Sequence, residues 1–201
     1  MLYDKGLINA VFIVAPKGVY RNWTEVEIPK HLPEHVIYRH ANWSPSPLKK
    51  EKEKLENIFE VTEDLKFLCM NVEALSTTKG TTFATRFVNA HDTLMIIDES
   101  TTIKTPKASR AKNAVKVGKL ATYKRIATGS PVTKSPMDIY MQCEFLSPSL
   151  LDIPSYYAFQ ARYANVIERS VATHSFKKIT GYRRLDELQE KISNFSFRVT
   201  K

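Results

Sequence analysis

Apolar residues fall in short continuous runs along this chain, at Ala10–Ala15, Val36–Tyr38, Lys66–Met70, Leu94–Ile97, Arg125–Ala127 and Phe195–Val199. These runs lack the strict alternation of a half-solvated strand, so they read as strands covered on both faces. Candidate helices lie between them, at about Tyr20–Lys30, Leu48–Phe59, Thr82–Asn89, Ser109–Leu120 and Pro136–Phe145. A strand–helix–strand rhythm predicts a mostly parallel α/β sheet with helices on both faces and right-handed crossovers. The stretch Asn42–Pro47 is turn-rich, and the mixed charges of Lys49–Glu56 at i,i+3 and i,i+4 spacing suit a solvated helix face. Beyond Leu146 the pattern becomes apolar and aromatic. The sheet core is therefore expected over about residues 7–146, followed by a C-terminal helical segment over about 147–194.

A chain of 201 residues, 43% hydrophobic and 25% charged, is long enough for one domain with a real core and too apolar to be largely disordered. The longest apolar run, Ala10–Ala15, is far short of the roughly 20 residues of a spanning helix, and Asp4 interrupts any signal-like start. Cys69 and Cys143 stand far apart without a partner motif, which implies neither a disulfide framework nor a thiolate zinc site. Together these features predict an intracellular protein, cytoplasmic or nucleoid-associated and not secreted. Thirty Lys and Arg against 21 Asp and Glu leave a net charge of +9, which favours a polyanionic partner without proving one.

The run Thr93–Ile97 ends in Asp98-Glu99-Ser100. Ligands of open α/β sheets bind beyond the carboxyl ends of strands, so these acids are placed at a site. Nucleoside triphosphate hydrolysis uses such a pair, one carboxylate for the magnesium shell and one for the attacking water. Acids also commonly begin loops, so the pair alone leaves both readings open. About 30 residues later Arg125-Ile126-Ala127 runs into Thr128-Gly129-Ser130-Pro131, where Gly129 permits close backbone approach between two hydroxyls. Two neighbouring strand ends of this kind would face one crevice.

In this combination the sequence resembles the Swi/Snf-type DNA-dependent ATPases of helicase superfamily two, almost from end to end. Ile13–Lys17 with Trp23 looks like motif Ia and the Asn-Trp after it, and Asp98–Thr101 looks like motif II, the Walker B box. Thr128–Pro131, Asp138–Tyr140 and Phe145–Pro148 resemble motif III and its helix, while Ile103-Lys104, Ser109, Phe159 and Tyr163 fit the segments around them. The resemblance implies the first of two RecA-like domains, binding ATP and Mg2+ and tracking along duplex DNA. By the same resemblance Asp98 coordinates magnesium, Glu99 activates water, and Thr128, Gly129 and Ser130 couple hydrolysis to nucleic-acid contacts. Lys17, Asn71 and Lys104 are carried over as contacts to the nucleic-acid backbone.

Three positions depart from the family pattern. Thr101 replaces a usual His, which puts the usual link to motif III in question; Ser130 replaces Thr and Lys134 replaces Asn. The sequence also contains no G-x-x-x-x-G-K-[ST] loop, since Asn113 precedes Gly118-Lys119 where the first glycine is required. The expectation is the greater part of an N-terminally truncated first RecA-like domain, inactive alone; a split enzyme whose loop and second domain come from a second polypeptide is a further reading. The alternative is a stand-alone basic nucleic-acid-binding module without ATPase activity.

Other chemistries find less support. Pro33 lies between His31 and His35 and spoils a helical metal pair with them or with His40. Ser130 lacks the G-x-S-x-G elbow of a hydrolase. Trp23, Trp43, Tyr156, Tyr157 and Phe159 invite a base-stacking role but more simply fill a core.

Overall fold

A computed structural model describes residues 1–171 and 174–199, with side chains described outside 169–176. Its centre is a parallel sheet of five strands in the order β2-β3-β1-β4-β5, formed by β1 (Ala10–Ala15), β2 (Tyr38–Asn42), β3 (Leu65–Asn71), β4 (Thr93–Asp98) and β5 (Tyr123–Ala127). The connection leaving β1 runs toward β2, whereas the one leaving β4 runs toward β5. The switch point of the sheet therefore lies between β1 and β4, where open α/β sheets hold their ligands. In register, Val14 faces Ile97 and Asp98 faces Ala127, so the ends of β1, β4 and β5 reach one edge together.

One face carries the larger core. Phe12, Leu68, Met70 and Met95 meet α4 (Thr78–Ala90), α5 (Ser109–Gly118), α6 (Ile139–Leu146) and α7 (Tyr156–Tyr163) there. The Phe12 and Phe87 rings sit edge to face with centroids 6.2 Å apart, and neither is accessible to water. Burying each ring is worth about 1.5–3 kcal/mol. On the other face Val11, Ile13, Phe67 and Cys69 lie under Tyr20 and Ile28. These come from a helical stretch made of α1 (Tyr20–Asn22), a π-helical turn (Trp23–Glu27) and α2 (Ile28–His31). Pro29 has no N–H and crowds the preceding turn, and the Ile28 N–H accordingly reaches back five residues to the Trp23 carbonyl.

Several expectations change. Both faces of β1 and β3 are covered, but β4 buries only Thr93, Met95 and Ile97, leaving Leu94 and Ile96 half-exposed. The Tyr20–His31 cover lies mainly over β1 and β3 and only partly buries Leu94 and Ile96, and β5, at the sheet edge, is more open still. The strand expected at Val36–Tyr38 begins at Tyr38 instead. Val36 is a buried turn residue bonded back to Pro33, and the ladder starts only after Leu65 N–H meets the Ile37 carbonyl. Lys49–Asn57 forms α3, with Leu55 its buried residue and the charges largely outward, as the mixed pattern requires.

The segment expected to be helical over 147–194 carries α7 and α8 (Leu185–Ser193), but between them is an antiparallel hairpin of β6 (Ala164–Val171) and β7 (His174–Tyr182). Val166 pairs with Ile179 and packs against the main core, a period-two placement of β-branched residues that overrides the helical expectation. Arg162 forks onto Glu187 at 2.7 and 2.9 Å, and the Tyr163 hydroxyl donates to the same carboxylate at 2.7 Å. Arg183 donates to the Ala161 and Arg162 carbonyls, so both ends of the hairpin are tied to α7. Phe195–Val199 is not a strand: Phe195 closes a turn after α8, and Phe197 and Val199 point into solvent.

Candidate nucleotide and nucleic-acid site

Asp98 ends β4 half-buried at the switch point, and both of its carboxylate oxygens are held. Oδ1 accepts the Glu99 backbone N–H at 3.0 Å, and Oδ2 accepts the indole N–H of Trp23 at 3.0 Å. Glu99 adopts the left-handed conformation, φ 51° and ψ 62°, which costs a side-chain-bearing residue about 1 kcal/mol or more. The turn it makes leaves the Glu99 side chain exposed and sends the chain inward into a 3-10 helix over Ser100–Ile103.

The loop after β5 answers this turn. Because Asp98 is registered with Ala127, the next residues of both strands stand opposite one another, and the Thr128 hydroxyl donates to Glu99 Oε2 at 3.1 Å. Thr128 Oγ1 also accepts the Ser130 N–H at 3.3 Å, and the Ser130 hydroxyl donates to the Val132 carbonyl at 2.8 Å. A Cβ placed on Gly129 would meet nothing within 4 Å, so the expected close approach is not to this chain's own atoms.

A second layer below the acids ties the two loops together. Ser100 is fully buried and its hydroxyl donates to Gln142 Oε1 at 2.5 Å. The Gln142 amide in turn donates to the Pro131 and Asp138 carbonyls, each at 2.8 Å. Asp138 Oδ2 accepts the Thr133 N–H at 3.1 Å, the Thr133 hydroxyl at 2.8 Å and the Lys134 N–H at 3.0 Å, and Lys104 lies 3.3 Å away. Burial works to raise the Asp138 pKa, but these donors outweigh it and hold the carboxyl below its ordinary value.

The residues expected to meet nucleic acid divide into two groups. Lys17 is exposed in the turn after β1. Asn71 caps the 3-10 helix Val72–Ser76, accepting the Ala74 N–H at 2.9 Å. Lys104 is half-buried and turned to Asp138 and the Thr133 hydroxyl, so its charge is engaged within the chain. His31 and His35 face different carboxylates, Glu27 and Asp4, while His40 is half-buried in β2. Trp43, Phe159 and Tyr163 belong to the core, and Tyr157 is exposed.

Gln142 escapes a reading by motif, whereas Trp23 and Asp138 fall in matched motifs that do not foretell the indole bond to Asp98 or the hub role of Asp138. Gln142 did leave a trace, being an amide inside the otherwise apolar buried series Ile139, Tyr140, Met141, Cys143 and Phe145.

Among the described residues no three His, Cys, Asp or Glu gather as metal ligands. Asp98 beside Glu99 fits a magnesium ion whose remaining ligands are water and phosphate oxygens, the usual magnesium arrangement. The donor set does not fit a cation caged by protein alone. For ATP the fit stops at that metal-facing end, because the sequence holds no phosphate-cradling loop. Among the described residues no helix is long and apolar enough to cross a membrane.

A mostly parallel sheet with helices on both sides and paired acids at its switch point has the RecA-like architecture of helicase ATPase cores. The SNF2-related domain model matches residues 2–201, and the chain belongs to that family of Swi/Snf-type domains. It is 27% identical over 191 residues to the DNA annealing helicase and endonuclease ZRANB3 of Bos taurus, covering 95% of this chain and 16% of that protein. The SWI2/SNF2 ATPase core of Sulfolobus solfataricus, solved in complex with dsDNA, has a similar fold, with a TM-score of 0.68 and 20% identity. That match covers 99% of this chain and 35% of the solved chain.

Proposed function

We propose that this chain is the Walker B and motif III part of a first RecA-like domain in an ATP-dependent helicase or translocase acting on duplex DNA. The observation that carries the reading is the Thr128–Glu99 hydrogen bond at 3.1 Å. It joins an exposed carboxylate at the end of β4 to the loop after β5, beside a carboxylate already held in place. In this reading Asp98 holds the water shell of magnesium and Glu99 accepts a proton from the attacking water. Thr128 fixes the Glu99 carboxylate, so movement of the Thr128–Ser130 loop changes where that base points. Magnesium, when bound with ATP, supplies charge neutralisation at the phosphate oxygens.

Lys17 contacts the DNA backbone through charge, without sequence preference. Asn71 and Lys104 are proposed as further backbone contacts by the same resemblance, while within the chain Asn71 caps a 3-10 helix and Lys104 is turned to Asp138 and Thr133. The half-open face of Leu94 and Ile96 and the free edge of β5 border the acids. Those openings leave room for a further segment that brings the phosphate loop and second RecA-like domain.

The test is ATP hydrolysis by the pure chain, with and without duplex DNA, and in mixture with a polypeptide carrying the phosphate loop and second domain. Silence alone, turnover in the mixture and loss of that turnover in Glu99→Gln are expected. Fast magnesium-dependent turnover by the chain alone, abolished in Glu99→Gln, overturns the claim that it is inactive alone. Silence in the mixture, with DNA binding unaltered by Glu99→Gln, replaces the reading with that of a basic nucleic-acid-binding module.

A further inference from the structure

Trp23 occupies a position that core filling does not explain. Its ring is half-buried at the margin of the smaller core, and its indole N–H crosses from the segment after β1 to Asp98 Oδ2, 3.0 Å away and 75 residues distant in sequence. The bond spans the switch point itself, since β1 and β4 are the strands on either side of it. The backbone around Trp23 is also specialised. Trp23–Glu27 is π-helical, a form concentrated at functional sites, and neighbouring Thr24 is fixed by bonds to Arg21 and to Asn42 at the end of β2.

An aspartate at a strand end ordinarily rotates about two side-chain torsions. Here the Glu99 N–H takes one oxygen and the Trp23 indole the other, leaving one orientation. Each oxygen keeps a free lone pair, so the clamp aims the carboxylate without consuming its capacity to accept.

We propose that Trp23 is a positioning residue for Asp98: its indole N–H aims the carboxylate at the hydrated divalent cation and ties it to the Lys17–Glu27 segment. The proposal rests on the reading of Asp98 as the magnesium carboxylate. Because the indole is rigid and donates a charge-assisted bond, its loss is expected to weaken cation binding about five-fold.

The experiment uses the intact chain labelled with 15N-tryptophan, which gives two indole lines, from Trp23 and Trp43, assigned with Trp43→Phe. Asp98→Asn is expected to move the Trp23 line and leave the Trp43 line in place, which reports the hydrogen bond itself, while the cation affinity that follows separates a positioning role from a merely structural one. Mn2+ is then titrated into wild type, Asp98→Asn and Trp23→Phe, with affinity read from water-proton relaxation. The expected result is loss of the specific site in Asp98→Asn and about five-fold weaker binding in Trp23→Phe, with both variants folded by circular dichroism. A Trp23 line indifferent to Asp98→Asn overturns the proposal. Unchanged Mn2+ affinity in Trp23→Phe, with binding lost in Asp98→Asn, also overturns it while leaving the metal reading of Asp98 standing. Unchanged affinity in both variants removes the metal reading and the proposal with it.

Discussion

Gln142→Leu tests the bridge beneath the acids most directly. Leucine has nearly the volume of glutamine and suits the apolar neighbours of α6, so cavity formation contributes little. What changes is polar satisfaction. The Ser100 hydroxyl, fully buried, loses its acceptor, and the Pro131 and Asp138 carbonyls lose a donor at 2.8 Å each. A stranded buried hydroxyl costs about 1–3 kcal/mol, and each lost amide bond a net of about 0.5–1.5. Pro131 is exposed and recovers a water partner, so the expected loss is about 2–3 kcal/mol. For a domain of this size that corresponds to a melting point lower by about 4–12 °C. Removing both partners in Ser100→Ala with Gln142→Leu strands no hydroxyl, so about 1–2 kcal/mol should return relative to the sum of the single variants. Thermal unfolding followed by circular dichroism reads all four proteins. Strict additivity, or an unshifted melting point in Gln142→Leu, refutes the bridge.

Gly80→Ala places a Cβ 2.3 Å from the Ala74 carbonyl oxygen, a backbone atom that cannot swing aside, and is expected to cost about 3 kcal/mol in thermal unfolding. The Arg162 fork, and then the Tyr163 hydroxyl, hold the Glu187 pKa at about 2, below its ordinary 4.5. Its contribution is therefore present above about pH 4.5 and disappears as pH falls toward 2. Hydrogen-exchange protection factors, corrected for the intrinsic rate at each pH, should fall where α7 meets α8 as pH drops across that window in wild type, and Glu187→Gln should flatten the dependence. Burial pushes both the Cys69 and Cys143 thiols up to about 12, and both side chains are buried. A disulfide reagent at pH 8 should label neither in the native chain and both after unfolding; rapid native labelling would contradict the packing around them.

Much of the architecture is legible because covering both faces of a strand demands continuous apolarity, as in β1 and β3. The same rule misled at β4, where Leu94 and Ile96 are apolar yet half-exposed: a sequence records what a position tolerates, not which neighbour covers it. Val36 shows the converse, an apolar residue that is buried in a turn rather than in the ladder. The hairpin β6–β7 was missed because Val166 and Ile179 signal a strand only once they are seen opposite each other. At the site, the meeting of Asp98, Glu99 and Thr128 at neighbouring strand ends was readable because their spacing follows strand ends. The bonds made by Trp23 and Gln142 were not, although Trp23 itself falls in a matched motif, since a hydrogen bond spanning 75 or 42 residues leaves no periodic trace.

The departures from the family pattern are better understood together than singly. Thr101, standing where a histidine is usual, does not leave the two loops disconnected. Glu99 and Ser100 are adjacent, yet the left-handed turn at Glu99 sends one side chain outward to Thr128 and the other inward to Gln142. The loop after β5 is thus gripped at two depths, by an exposed contact that can exchange with water and by a buried one that cannot. Lys104 and Asp138 add a third grip farther along the same loop. A displacement of Thr128–Ser130 must either break the outer contact alone, at small cost, or carry the Ser100 turn with it through Gln142. Motion of the first kind frees the Glu99 carboxylate while Asp98 stays clamped by Trp23. The arrangement therefore separates a fixed acid from a movable one, the division that the proposed roles of Asp98 and Glu99 call for.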